Sequence, residues 1–90
     1  MTKNQSFGVA VAWAKEGQKV ARAGWNGKGM YLYYVPANEY PAVTDVAKAQ
    51  FPDGMVPYDA YMAMKTVQNT VVPWLASQTD ILAEDWQIVD

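Results

Sequence analysis

A chain of 90 residues with 51% hydrophobic residues and a net charge of −2 has room for one small core and lacks the basic excess of a general nucleic-acid binder. Cysteine and histidine are both absent, which excludes disulfides, thiolate nucleophiles and zinc sites built on those ligands. No apolar run approaches the roughly 18 residues of a membrane-spanning helix, and Phe7 to Ala14 has neither a basic leader nor a cleavage site, so no membrane partner and no signal peptide are expected.

Residues 1–90 are expected to form one domain, and a core this small favours help from self-association. Ser6 caps a helix starting at Phe7, where Phe7, Ala10, Val11 and Ala14 recur at helical spacing and Gly17 stops it. Lys19 to Arg22 reads as a short strand. The glycine-rich stretch from Ala23 to Gly29 is a loop with a tight Asn26-Gly27 turn. Met30 to Val35, dense in aromatic and β-branched residues, is the clearest strand, and Pro36 ends it. Pro41, Pro52 and Pro57 break the middle of the chain, leaving about two helical turns over Thr44 to Phe51 and a turn at Asp53-Gly54. Tyr58 to Thr66 alternates as a strand, Gln68-Asn69-Thr70 turns, and Val71 to Leu75 is another strand, with Pro73 requiring an edge. Ser77 caps a short helix over Thr79 to Glu84, and Trp86 to Val89 closes as a strand. This order predicts an α+β domain: the N-terminal helix packed on an antiparallel sheet, with short second and C-terminal helices.

Two stretches can carry chemistry. In Gly24-Trp25-Asn26-Gly27-Lys28-Gly29, the glycines let backbone N–H groups approach an anion. Trp25 offers a stacking face, Lys28 a cation, and Asn26 both a donor and an acceptor. A plain hairpin turn is the more usual role of such residues. In Val72 to Asp80, a strand runs into a helix start, whose N–H groups attract anions. Ser77, Thr79 and Asp80 stand there, and simple capping explains them as well. Charge is split: Lys15, Lys19, Arg22 and Lys28 cluster early, while Asp80, Glu84, Asp85 and Asp90 close the chain. The early group can hold an anion; the late one can accept bonds from hydroxyls or only solvate the terminus. Usual bases and nucleophiles are missing. Asp80 with Glu84, one helical turn apart, is the one pair suited to work on a glycosidic bond, and no enzyme activity, metal or cofactor is expected.

Three blocks, Val20 to Leu32, Tyr61 to Thr66 and Val72 to Trp86, resemble the second Thoeris anti-defense family in sequence and order. The resemblance implies a phage protein acting in the host bacterial cytoplasm. Such proteins assemble as homotetramers and bind cyclic ADP-ribose isomers made by TIR-domain proteins without cleaving them. Some relatives also take cyclic oligonucleotides at a separate site. On this basis the ligand-binding set is Arg22, Trp25, Asn26, Lys28, Trp74, Thr79 and Asp80. Trp25 and Trp74 stack on or wall the adenine, Arg22 and Lys28 answer the pyrophosphate, and Asn26, Thr79 and Asp80 bond ribose hydroxyls or the base edge. No DNA partner is implied. The segment Ala37 to Tyr58 departs furthest from the family pattern, and Gln68-Asn69-Thr70 stands where a glycine-containing turn is expected. The competing reading is a structural or protein-interaction module of a phage with no nucleotide ligand.

Overall fold

The computed structural model describes residues 4–25 and 29–90. Helix α1 (Phe7–Lys15) begins where Ser6, in extended conformation, accepts a hydrogen bond from the Val9 N–H, and it ends at Gly17, whose φ of 98° few side chains tolerate. Strands β1 (Lys19–Arg22), β2 (Tyr31–Val35), β5 (Tyr61–Lys65), β6 (Val71–Pro73) and β7 (Trp86–Val89) make an antiparallel sheet in the order β6-β5-β2-β1-β7. The expected α+β class holds, with α1 lying on β1, β2 and β7.

Register decides which residues α1 covers. Val20 pairs with Leu32 and Ile88, while Leu32 pairs with Met64. Because side chains alternate across a sheet, these residues share one face. On it Val20, Leu32 and Trp86 are buried against Ala10 and Ala14. The two alanines let the helix approach closely; their methyls leave room for the indole of Trp86. Tyr34, Met62, Met64, Phe7 and Trp13 pack around this centre.

At the β5–β6 turn, Asn69 takes a φ of 67°, supplying the left-handed residue that a glycine would otherwise provide. Thr66 and Thr70 close that turn through their backbones at 2.8 Å and their hydroxyls at 2.7 Å. Pro73 lies on the edge strand β6, where its missing N–H removes no interior hydrogen bond. The strand is shorter than its expected extent to Leu75. At the other edge, Gln5 exchanges backbone hydrogen bonds with Trp86 at 2.9 and 3.0 Å.

The middle of the chain is more regular than its prolines suggest. Strands β3 (Asn38–Pro41) and β4 (Met55–Tyr58), neither of them expected as a pair, form a separate two-stranded ladder. They flank the expected helix, α2 (Asp45–Gln50), capped by Thr44. The β2–β5 ladder stops at Val35 and Tyr61, and the β3–β4 ladder resumes at Asn38 and Tyr58. Pro36 interrupts the run because it offers no donor. The result is one long broken hairpin with α2 at its tip. It extends the molecule to 47 × 25 × 25 Å and gives a radius of gyration of 15.5 Å, against about 12 Å for a compact chain of this length. No residue of α2 is buried, and Val43 and Val46 are 78% and 82% exposed. Among the described residues no helix is long and apolar enough to cross a membrane.

Candidate nucleotide site

The last helix, α3 (Gln78–Leu82), starts in a reciprocal cap: Ser77 Oγ accepts from the Asp80 N–H at 3.1 Å, and Asp80 Oδ2 accepts from the Ser77 N–H at 3.2 Å and its hydroxyl at 2.8 Å. Thr79 Oγ1 lies 2.9 Å from Ser77 Oγ at the exposed margin. This cap fixes Asp80, whose Oδ1 accepts from Arg22 Nη1 at 3.0 Å. Arg22 Nε donates to Asp85 Oδ1 at 2.9 Å. Arg22 therefore ties the end of β1 to both ends of the α3 segment. The Trp86 indole N–H adds a bond to the Asp80 carbonyl at 3.0 Å.

Beside these ion pairs stands a cluster of aromatic rings. Trp86 is buried at its centre, with Phe7 and Trp25 each 5.4 Å away between centroids and Trp74 6.1 Å away. Trp25 meets Trp86 edge-on at 77° and approaches Trp74 to 6.4 Å. Such edge contacts suit the ring quadrupoles. Trp25 and Trp74 are half-buried, each packed on one side and open on another. Trp25 and the strand-to-helix segment thus meet within a single chain.

The carboxylates are held ionised. Burial alone would push Asp80 up, but hydrogen bonds from Ser77 and Arg22 outweigh it and hold the group below the ordinary aspartate value. For Asp85 the Arg22 hydrogen bond dominates and lowers it likewise. Arg22 is raised in turn by Asp85 first and then Asp80. Two carboxylates face one guanidinium, so this corner carries a net negative charge. Among the described residues no group of three or more histidines, cysteines or carboxylates is arranged to hold a metal ion.

A profile of the Thoeris anti-defense 2-like domain matches residues 5–89. The chain belongs to that family. It is also 36% identical to Thoeris anti-defense 2 of Bacillus phage SP01 over 89 residues, covering 99% of each chain.

Within this Thoeris anti-defense 2-like fold, four of the seven candidate residues converge: Arg22, Trp25, Trp74 and Asp80. Thr79 sits at the rim. Asn26 and Lys28 lie outside the described residues, as does the expected Asn26-Gly27 turn. The Asp80–Glu84 helical pair is not formed, because α3 ends at Leu82 and Ala83 is extended. Sequence reasoning missed Phe7, Asp85 and Trp86. Asp85 was visible only as one of several closing acids; its pairing with Arg22 spans 63 positions and has no local signature.

Proposed function

We propose that this protein is a phage anti-defense protein that binds and sequesters cyclic ADP-ribose isomers without cleaving them, in the cytoplasm of the host bacterium. The observation that carries this reading is the meeting of Trp25 and Trp74 over the buried Trp86, next to the Arg22–Asp80–Asp85 corner. Two half-buried indoles on a rigid floor suit the faces of a purine, and a preformed wall keeps the ordering cost of binding low. Family membership and the phage relative of that name support the same direction.

The proposed roles follow the local charge. Trp25 and Trp74 wall the base. Thr79 and the outer lone pairs of Asp80 take ribose hydroxyls. Arg22 spends two N–H groups on carboxylates, and its remaining N–H groups reach a phosphate edge only where that net negative corner is offset. In this reading Lys28 supplies the offsetting charge and Asn26 bonds the ribose or the base edge. Sequestration without turnover fits two aspartates that are engaged by Arg22 as structural ties. Cyclic oligonucleotides at a separate site are a further ligand class the resemblance suggests.

The proposal includes a homotetramer. Tyr40, Val43, Val46 and Tyr58 stand exposed on the broken hairpin, apolar area that a lone subunit leaves in water. The same arm is what favours the alternative, a phage interaction module without a nucleotide ligand.

Mass spectrometry decides between these readings. The protein is exposed to lysate from cells with an active TIR defense, washed, and heated to release its ligand. An intact cyclic ADP-ribose isomer is expected. A chemically altered product would make the protein an enzyme; release of no nucleotide, with no thermal shift on adding synthetic isomers, would favour the interaction module.

A further inference from the structure

The chain from Arg22 to Trp25 is a tight turn, closed by the Trp25 N–H donating to the Arg22 carbonyl at 3.2 Å. One residue outside the turn holds three of its four members. Asp85 Oδ1 accepts from Arg22 Nε at 2.9 Å, the Asp85 carbonyl accepts from the Ala23 N–H at 2.9 Å, and Asp85 Oδ2 accepts from the Gly24 N–H at 3.4 Å. The next residue along the chain, Trp86, is the ring on which Trp25 rests. A single dipeptide therefore fixes both the turn and the surface beneath the indole that the turn presents.

Asp80 shares Arg22 but serves another element. The remaining bonds of its carboxylate return to Ser77 and secure the start of α3. The two carboxylates thus divide the work: Asp80 anchors the helix, Asp85 anchors the turn, and Arg22 couples them.

The geometry points to Asp85 as the positioning residue of the site, holding the Arg22–Trp25 turn so that the Trp25 ring is set for a ligand Asp85 itself does not touch. This rests on the reading of the tryptophan pair as a nucleotide wall. Asp85 acts by keeping the binding-competent turn populated. Its loss lowers the competent fraction, and apparent affinity falls by that fraction. Such a loss slows association, whereas deleting a direct contact speeds dissociation. What the turn requires at position 24 is the N–H rather than the absence of a side chain: a Cβ there would meet Asp85 Oδ2 at 3.6 Å, an ordinary contact.

The test compares Asp85→Asn and Asp85→Ala with the unaltered chain, using a synthetic cyclic ADP-ribose isomer in stopped-flow binding and amide NMR without ligand. Both Asp85 variants are expected to lose roughly tenfold in affinity, comparable to one charge-assisted hydrogen bond. That loss falls in the association rate with dissociation unchanged. Without ligand, the Gly24 amide and Trp25 indole resonances move in the Asp85 variants while those of α1 and β2 stay. Faster dissociation at an unchanged association rate would make Asp85 a ligand contact and overturn the positioning role. Unmoved Gly24 and Trp25 resonances would overturn it too. If the unaltered chain binds no isomer, the nucleotide reading falls, while the NMR comparison still decides whether Asp85 sets the turn.

Discussion

Replacing Trp25 with alanine separates its two roles, because each has its own magnitude. In the fold, the ring makes an edge contact with Trp86 at 5.4 Å and a tilted one with Trp74 at 6.4 Å. Aromatic pairs of this kind contribute about 0.5–1.5 kcal/mol each beyond area burial. Because the ring is only partly buried, the total cost is about 2–4 kcal/mol, toward the low side of the 3–5 kcal/mol typical of a fully buried aromatic. A chain of 90 residues has about 5–13 kcal/mol to lose, so the variant stays folded and melts about 8–30 °C lower. At the site, loss of one base-stacking face costs about 1–3 kcal/mol, or roughly 5- to 150-fold in Kd. Trp13→Ala is the control, since Trp13 also packs on the core but outside the ring cluster. Calorimetric titration with a cyclic ADP-ribose isomer, well below both melting points, should show weakened binding only for Trp25→Ala. Equal affinity in Trp25→Ala and the unaltered chain, with the lower melting point present, would refute the wall and leave Trp25 as core alone.

Leu32→Ala removes a fully buried side chain from the central strand and should cost about 2–5 kcal/mol, read as a lower urea midpoint at unchanged slope. Acid should weaken the fold with a definite sign. Asp80 and Asp85 lie below their unfolded value of about 3.9. Their contribution is therefore complete above that pH and disappears as pH falls through the folded values. Denaturant midpoints between about pH 6 and pH 3 should drop, and Arg22→Gln should flatten part of the drop; an unchanged slope in that variant would remove the ion pairs as its cause. Val43→Lys combined with Val46→Lys should lower the assembly mass measured by light scattering, without lowering the stability of the separated subunit, since neither side chain is buried. An unchanged mass would show that the arm makes no subunit contact.

Much of this fold is readable locally. Ser6, Gly17, Thr44, Ser77 and Asn69 each act through neighbours a few positions away, and helix and turn boundaries fall where those residues put them. The β3–β4 ladder escaped detection because Pro41 and Pro57, which usually argue against strands, sit in a two-stranded ribbon where every strand is an edge. At the site, the segment pairing was legible through Trp25 and Trp74, yet the ion-pair corner was not. A surplus of acids at the end of the chain does not reveal that two of them are consumed by Arg22, which turns an apparent phosphate cation into a structural tie. Trp86 offered no distinguishing mark from the other tryptophans. Its burial, its register opposite Arg22 and its ring contacts show that it is the floor.

The broken hairpin leaves the body at Val35 and returns at Tyr61, which are direct partners in the sheet. Everything between them hangs from two adjacent strand ends, so the body needs only that those ends meet. Excising residues 36–60 and joining the ends through a two-residue Asn-Gly turn should leave a foldable core. By the same reasoning, the tip is a graftable cassette. Lengthening it, trimming it or swapping its helix alters what the molecule presents at its far end while the tryptophan floor and its ion pairs stay as they are. Selection can thus change the tip and the ring cluster on separate schedules.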